Sequence, residues 1–335
     1  MYYTQQLTMQ IATVISNNIN DAVQHLLHNN VVAIPTETVY GLAANALNPQ
    51  AVIKIFEAKN RPTFNPLIVH CHNWQDAAKY VTHIPKKLQP LIENFSPGPI
   101  TFLLPKNNLI PDIVTAGSNL VAIRVPNHPI TLQLLSLLPF PLAAPSANEF
   151  GYISPTTQNH VMQSLGGKIP FILSGNSSIV GLESTIVSIN EQNKVVLHRH
   201  GGITQEQIEA LINEPIVLAT NPETNITSGQ LKSHYAPNAP LYIGNIENLL
   251  LTHNQGKVCT LSLHTKVLNV PNNQQYFLSI NGDLKQAAYN LFNILRQIDN
   301  AKPTVILAQL LPNIGLGVAI NDRLQRASAA NKNLA

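Results

Sequence analysis

Apolar positions in the first two-thirds of the chain fall into short β-branched runs separated by segments of helical period. The runs "VVAIP" (31–35), "PLIVH" (66–70), "ITFLLP" (100–105), "LVAIRVP" (120–126), "PLAAP" (141–145), "FILSG" (171–175), "STIVSI" (184–189) and "KVVLHR" (194–199) read as strands. Asn48-Pro49 opens a helix in which Val52, Ile55, Phe56 and Lys59 share one side. Helical stretches are also expected at 74–80, 86–94, 129–138, 156–165 and 204–213. Strands interleaved with helices in this way predict an α/β domain built on one large twisted sheet. From about Leu218 to Pro240 the chain is rich in Asn, Thr, Ser and Pro and follows neither period, so it reads as a linker. Beyond it, "PLYIG", "KVCTLSL", "QYFLSI" and "TVILAQLL" alternate with helical stretches at 246–253, 282–298 and 317–329, a smaller parallel α/β domain. The division is thus 1–217, a linker at 218–240 and 241–335, as a length of 335 residues favours.

Composition makes the charges informative. Only 11% of residues are Asp, Glu, Lys or Arg, so any cluster of true charges stands out. A net charge of +3 is too weak for a nucleic-acid coat and leaves room for local anion pockets. Cys71 and Cys259, the two cysteines, predict neither a disulfide framework nor a structural zinc site. The start "MYYTQQLTMQIATVISNN" lacks the basic stretch and apolar core of a secretory signal. The apolar run "LQLLSLLPFPLAA" is too short for a bilayer and is broken by Pro139 and Pro141. A cytoplasmic protein without membrane association is expected.

The charges gather at strand ends. Lys59 and Arg61 in "KNRPTFN" suit a helix C-terminus, but Asn65 and His70 bracket an otherwise apolar strand and go beyond turn chemistry. Arg124 ends a buried-looking strand and cannot shed its charge, so it needs an anion or a carboxylate nearby. "APSANEFGYISPT" offers Ser146, Asn148, Ser154 and Thr156 after an apolar strand, "VGLESTIVSI" places Glu183, Ser184 and Thr185 at a strand start, and Arg199 closes another. Any one of these loops alone reads as capping or turn chemistry. Together they predict a polyanion pocket in a sheet crevice. No G-x-x-x-x-G-K-[ST] loop occurs, "IGLGVAIN" lacks the third glycine of a dinucleotide fingerprint, and H-E-x-x-H is absent. "HCH" at 70–72 alternates across a strand, which disfavours a metal site. The residues alone therefore point to a nucleoside triphosphate or a similar anion.

Taken together, "PTETVYGLAANA", "KNRPTFNPLIVH", "SPGPITFLL", "AIRVPNHP", "APSAN…SPT", "GLESTIVSI" and "HYAP" resemble the threonylcarbamoyl-AMP synthase (YrdC-like) family in order and spacing through 20–215. The segment "SGQLKSHYAPNAPL" and a tail ending "GLGVAINDRLQRAS" resemble its long, two-domain form. The resemblance implies a large mixed sheet with helices plus a smaller Rossmann-like parallel C-terminal domain. It implies a nucleotidyltransferase that makes L-threonylcarbamoyladenylate and pyrophosphate from L-threonine, bicarbonate or CO2, and ATP. The product feeds the N6-threonylcarbamoyl modification of adenosine 37 in tRNA, through a downstream tRNA threonylcarbamoyl transferase. By the same resemblance Thr38, His70, Arg124, Ala144 (by its backbone) and Ser184 contact threonine. Lys59, Arg61, Asn65, Leu120, Ser146, Ser154, Arg199 and Tyr235 contact ATP, with Lys59 and Arg61 stabilising charge during transfer. Magnesium is expected on the triphosphate, held by phosphate oxygens and water, and Tyr235 implies that the linker closes over the nucleotide as a lid. The chain departs from the family's pattern in "SGQLKS" before "HYAP" and in His200, where proline is usual. Two other readings differ in class: a double-stranded RNA or tRNA-binding module, which the low charge and missing aromatic interleaving disfavour, and a nucleotide-sensing regulator without catalysis.

Overall fold

The computed structural model describes residues 11–219 and 233–330. Eleven strands form one mixed sheet. In chain order they are β1 (Val14–Ser16), β2 (Val32–Ile34), β3 (Gly41–Asn45), β4 (Ile68–His70), β5 (Ile100–Pro105), β6 (Leu120–Arg124), β7 (Leu142–Ala143), β8 (Phe171–Leu173), β9 (Thr185–Ile189), β10 (Val195–Arg199) and β11 (Val217–Leu218). Their order across the sheet is β1-β8-β2-β3-β7-β4-β6-β5-β9-β10-β11. All eight runs expected to be strands are strands. β1, β3 and β11 are additional, and Leu218, read as the first linker residue, ends an edge strand paired with β10. Of the rest of the linker reading, 220–232 lies outside the described residues, and 233–240 forms no helix or strand beyond an isolated bridge at Ala236.

The two faces of the central strands bury different things. Val69, Phe102, Leu104, Val121, Ile123, Val187 and Leu197 point to the face covered by helices, where they meet Val52, Ile55, Phe56, Leu91 and Ile208. Full burial of such a side chain stabilises by roughly 1.5–3 kcal/mol. On the opposite face, β4, β5, β6 and β9 carry a small apolar patch of Ile68, Leu103, Ala122 and Ile186. Because strand side chains alternate, His70 and Arg124 project on this second face, two residues beyond Ile68 and Ala122. The helix Pro49–Lys59 follows its sequence signals: Asn48 accepts hydrogen bonds from the Gln50 and Ala51 N–H groups, Pro49 sits in the first turn, and Asn60 ends it in the left-handed region. Val52, Ile55, Phe56 and Lys59 are all buried, as their spacing predicts.

The C-terminal unit is a four-stranded, all-parallel sheet of β12 (Leu241–Ile243), β13 (Val258–Ser262), β14 (Gln275–Phe277) and β15 (Val305–Ala308), ordered β12-β15-β13-β14. Helices Leu284–Asn300 and Leu316–Ser328 pack on it. Its core does not stop at the unit's border. Val39, Ile153, Leu182 and Tyr235, from loops beside the second face of the large sheet, belong to the same apolar cluster as Leu291, Phe292, Leu295 and Leu324. Arg296, 2% exposed, crosses the junction to the carbonyls of Ile153 and Ser154, at 2.5 and 3.4 Å. Among the described residues no helix is long and apolar enough to cross a membrane.

Candidate active site

A crevice of about 460 Å³, open solvent at its mouth included, lies on the second face of the sheet. Its floor is set by strand register. β4 and β6 are parallel with His70 opposite Arg124, which stands the two side chains next to each other. β7 runs on the other side of β4 and delivers Ala144, whose N–H donates to the Ile68 carbonyl at 2.9 Å. β5 and β9 are parallel, so Thr101 and Ser184 meet across them with hydroxyls 2.6 Å apart.

Arg199 reaches the crevice through a bulge. Leu197 pairs with Val187, yet Arg199 pairs with Ile186, so one extra residue is inserted in β10. The insertion moves Arg199 from the helix-covered face, where Leu197 points, to the face of Ile186. There Arg199 Nε and Nη2 donate to the Ser184 carbonyl at 3.0 and 2.9 Å, and Nη2 also to Ser184 Oγ at 3.1 Å.

Thr38, Arg61, His70, Arg124, Ala144, Ser146, Ser184, Arg199 and Tyr235, nine of the residues implied by the resemblance, line this one crevice. Four do not. Lys59 lies behind the wall, its ammonium donating to the Ser146 and Asn148 carbonyls at 2.6 and 2.5 Å. Asn65 accepts from Arg61 through its carbonyl at 3.2–3.3 Å, and its buried Nδ2 has no hydrogen-bond partner among the described residues. Ser154 is fully buried and donates to Glu183 Oε1 at 2.7 Å. Leu120 packs with the apolar patch at the start of β6, four residues before Arg124.

Hydrogen-bond accounting shows what the crevice offers a ligand. Thr36 donates its hydroxyl proton to the Val39 carbonyl at 2.6 Å, so the 2.8 Å contact between Thr36 and Thr38 uses the Thr38 proton. Thr38 is left with lone pairs for an amino group or hydroxyl. His70 Nδ1 faces the Ile68 carbonyl at 3.3 Å, which can only accept, so Nδ1 carries the proton. Burial and then Arg124 push the His70 pKa down to about 3, keeping the ring neutral. Arg124 Nη2 lies 2.8 Å from Glu37 Oε1, with both side chains buried. That charge contact is poorly aligned: neither Glu37 oxygen nor Arg124 Nη2 makes a well-directed hydrogen bond among the described residues. Arg124 therefore keeps donor capacity for an incoming carboxylate.

The other end of the crevice is cationic. Burial, followed among the lowering effects by Arg199, pushes the Arg61 pKa down to about 9. Burial and then neighbouring Arg323 and Arg124 push Arg199 down to about 10. Cations crowded in this way are relieved by an anionic ligand. Arg61 Nη2 also donates to the Pro66 carbonyl at 2.9 Å, fixing the loop after the helix.

Glu37 and His234 were not assigned roles from the sequence. Glu37 carried a weak signal, an acid between two threonines in an otherwise apolar stretch. His234 is buried beside Tyr235, and burial, with Arg61 and Lys59 close by, lowers its pKa far enough to keep it neutral. Its Nδ1 lacks a partner among the described residues. Tyr235 sits at φ +64°, a left-handed conformation that costs a non-glycine residue roughly 1–2 kcal/mol. It is held there by the Ala236 N–H bond to the Gly151 carbonyl, the His234 N–H bond to the Arg326 carbonyl, and stacking on Phe292.

Two family models match in tandem. The Sua5/YciO/YrdC model, described as telomere recombination, covers residues 24–201, and the model described as threonylcarbamoyl-AMP synthase, C-terminal domain, covers residues 203–329. The threonylcarbamoyl-AMP synthase of Bacillus subtilis is 41% identical over 314 residues, covering 90% of each chain. That of Pyrococcus abyssi is 38% identical over 307 residues, covering 89% of this chain and 90% of its own. The crystal structure of P. abyssi Sua5 complexed with L-threonine superposes with a TM-score of 0.85 at 36% identity, over 95% of this chain and 97% of that one. With both matched regions in sequence and this similarity along nearly its whole length, the chain belongs to the threonylcarbamoyl-AMP synthase family, in the form that carries the C-terminal domain.

Proposed function

We propose that this protein is an L-threonylcarbamoyladenylate synthase, a nucleotidyltransferase that uses L-threonine, bicarbonate or CO2, and ATP. One observation carries the reading: a carboxylate-seeking end, where register sets His70 beside Arg124, and a phosphate-seeking end, with Arg61, Arg199 and Ser146, share a single crevice. Arg124 grips the threonine carboxylate as a fork. Thr38, neutral His70 and Ser184 surround the amino group and hydroxyl, and the backbone at Ala144 closes that side. A carbamate oxygen on the bound amine attacks the α-phosphorus, the bond from that phosphorus to the α,β-bridging oxygen breaks, and pyrophosphate leaves with that electron pair. Arg61 and Arg199 stabilise the charge that develops on the phosphates.

Lys59 acts at one remove in this scheme. Its two bonds to carbonyls fix the 146–148 loop and so aim Ser146 at the nucleotide. Asn65 and Ser154 likewise shape the nucleotide side from behind the wall, Leu120 extends the apolar patch on the Arg124 face of β6, and Tyr235 covers the nucleotide side. Magnesium enters as part of the substrate, on phosphate oxygens and water. Among the described residues no group of three His, Cys, Asp or Glu comes together to cage a cation. The product would pass to a tRNA threonylcarbamoyl transferase in the cytoplasm, and a chain of net charge +3 would contact tRNA itself weakly. The test is pyrophosphate release from ATP, expected only when threonine and bicarbonate are both present. Serine in place of threonine should lower kcat/KM, because the threonine methyl packs in a closed site. Release that ignores either co-substrate would refute the reading.

A further inference from the structure

We infer that Arg323, on the C-terminal helix Leu316–Ser328, is a positioning residue of the nucleotide site and that the C-terminal domain supplies it for that purpose. The inference deepens the function proposed above and rests on it. Arg323 is completely buried, yet it belongs to a different sheet system from the crevice. Its Nε donates to Glu183 Oε2 at 2.9 Å, its Nη2 to the His200 carbonyl at 2.8 Å, and its Nη1 to Asp322 Oδ2 at 2.6 Å. Its guanidinium carbon lies 5.2 Å from the centre of the Tyr235 ring.

Each of these contacts bears on the crevice. Glu183 lines it and immediately precedes Ser184. With Ser154 on Oε1 and Arg323 on Oε2, both of its oxygens are held from opposite sides. Tyr235 lines the crevice in a left-handed conformation that needs support, and Arg323 covers its ring while Phe292 of the same domain stacks on it at 5.6 Å. His200 follows Arg199, so Arg323 also fixes the turn that sets the crevice arginine. One side chain therefore fastens Glu183, Tyr235 and the turn after Arg199. The motif "GLGVAINDRLQRAS" thus carries a charge whose work lies in the other domain.

A purely structural role in docking the domains predicts something different. Asp299 performs that role without touching the crevice: it accepts from Tyr152 Oη at 2.6 Å and from Asn238 N and Nδ2 at 2.8 and 2.7 Å. The experiment compares wild type, Arg323→Met, Arg323→Lys and Asp299→Asn by calorimetric titration with ATP and, separately, with threonine, alongside thermal unfolding. Arg323→Met is expected to weaken ATP binding at least tenfold with threonine affinity within twofold of wild type. Arg323→Lys, which keeps the charge and loses the fork, should fall between, and it carries the test alone if the methionine variant does not fold. Asp299→Asn should lower Tm and leave ATP affinity within twofold. Arg323 variants that lower Tm with unchanged ATP affinity, or that weaken both ligands equally, would overturn the inference. ATP affinity is read without turnover, so loss of the proposed reaction and loss of this assignment are separable; wild-type protein without ATP affinity would overturn both.

Discussion

Replacing Arg124 by methionine should do two separable kinds of damage. The guanidinium sits 2.8 Å from Glu37, and the two side chains are only 4% and 3% exposed. Removing one partner leaves the other as an uncompensated buried charge, at a cost of about 3–5 kcal/mol. For a domain of this size that is a fall in Tm of roughly 10 °C. The same substitution removes the fork proposed for the threonine carboxylate, which is worth about 2–3 kcal/mol, or roughly a 30–150-fold loss of affinity. Adding Glu37→Gln to Arg124→Met takes away the orphaned charge and should restore most of the Tm, because neutral pairs of similar volume tolerate such sites. It cannot restore the fork. Thermal unfolding and threonine titration on the single and double variants form the assay. A double variant that regains threonine affinity along with stability would rule out Arg124 as the carboxylate fork, as would Arg124→Met protein that binds threonine like wild type.

Two further expectations follow from the site. Folded His70 stays neutral down to about pH 3, while the unfolded chain takes up a proton from about pH 6.5 downwards, so its contribution to stability is complete above pH 6.5 and is lost as pH falls towards 3. His70→Asn should therefore flatten the decline in urea-unfolding free energy between pH 7 and 5 by about 2 kcal/mol; an unchanged slope would contradict the burial argument. A methyl group at Gly201 would lie 2.3 Å from the Glu183 carbonyl oxygen and 2.5 Å from both Ser184 C and Thr185 N. Gly201→Ala should push this strand start out of the crevice, lowering kcat/KM more than tenfold in the pyrophosphate assay and destabilising the fold by about 1–3 kcal/mol.

What the sequence disclosed follows from where its signals are local. β-branched runs such as "ITFLLP" are legible because both faces of the strand are buried, and β5 spans the expected residues. β3, "GLAAN", lacks β-branched residues and is a strand because β2 and β7 pair with it on either side, which is information held elsewhere in the chain. Helix Ile19–Leu27 carried a readable Asn18 cap and went unassigned, whereas Asp112–Thr115 is a single turn with no period to read. In the site, charge at strand ends located Arg61, Arg124 and Arg199. It could not give register, the β10 bulge or the pairing of Arg124 with Glu37, since these need partners far away in sequence. Arg323 was least legible of all: 140 residues separate it from Glu183, and its own helix reads as an ordinary amphipathic one.

In the proposed reaction one crevice joins a threonine-derived carbamate to the α-phosphorus of ATP. Mass spectrometry of the reaction with heavy-carbon bicarbonate and heavy-nitrogen threonine tests it most directly. The expected product is an adenylate carrying both labels, formed together with pyrophosphate and lost when Arg61 or Arg124 is replaced by methionine. An adenylate lacking either label, or a doubly labelled one that persists in both variants, would contradict it.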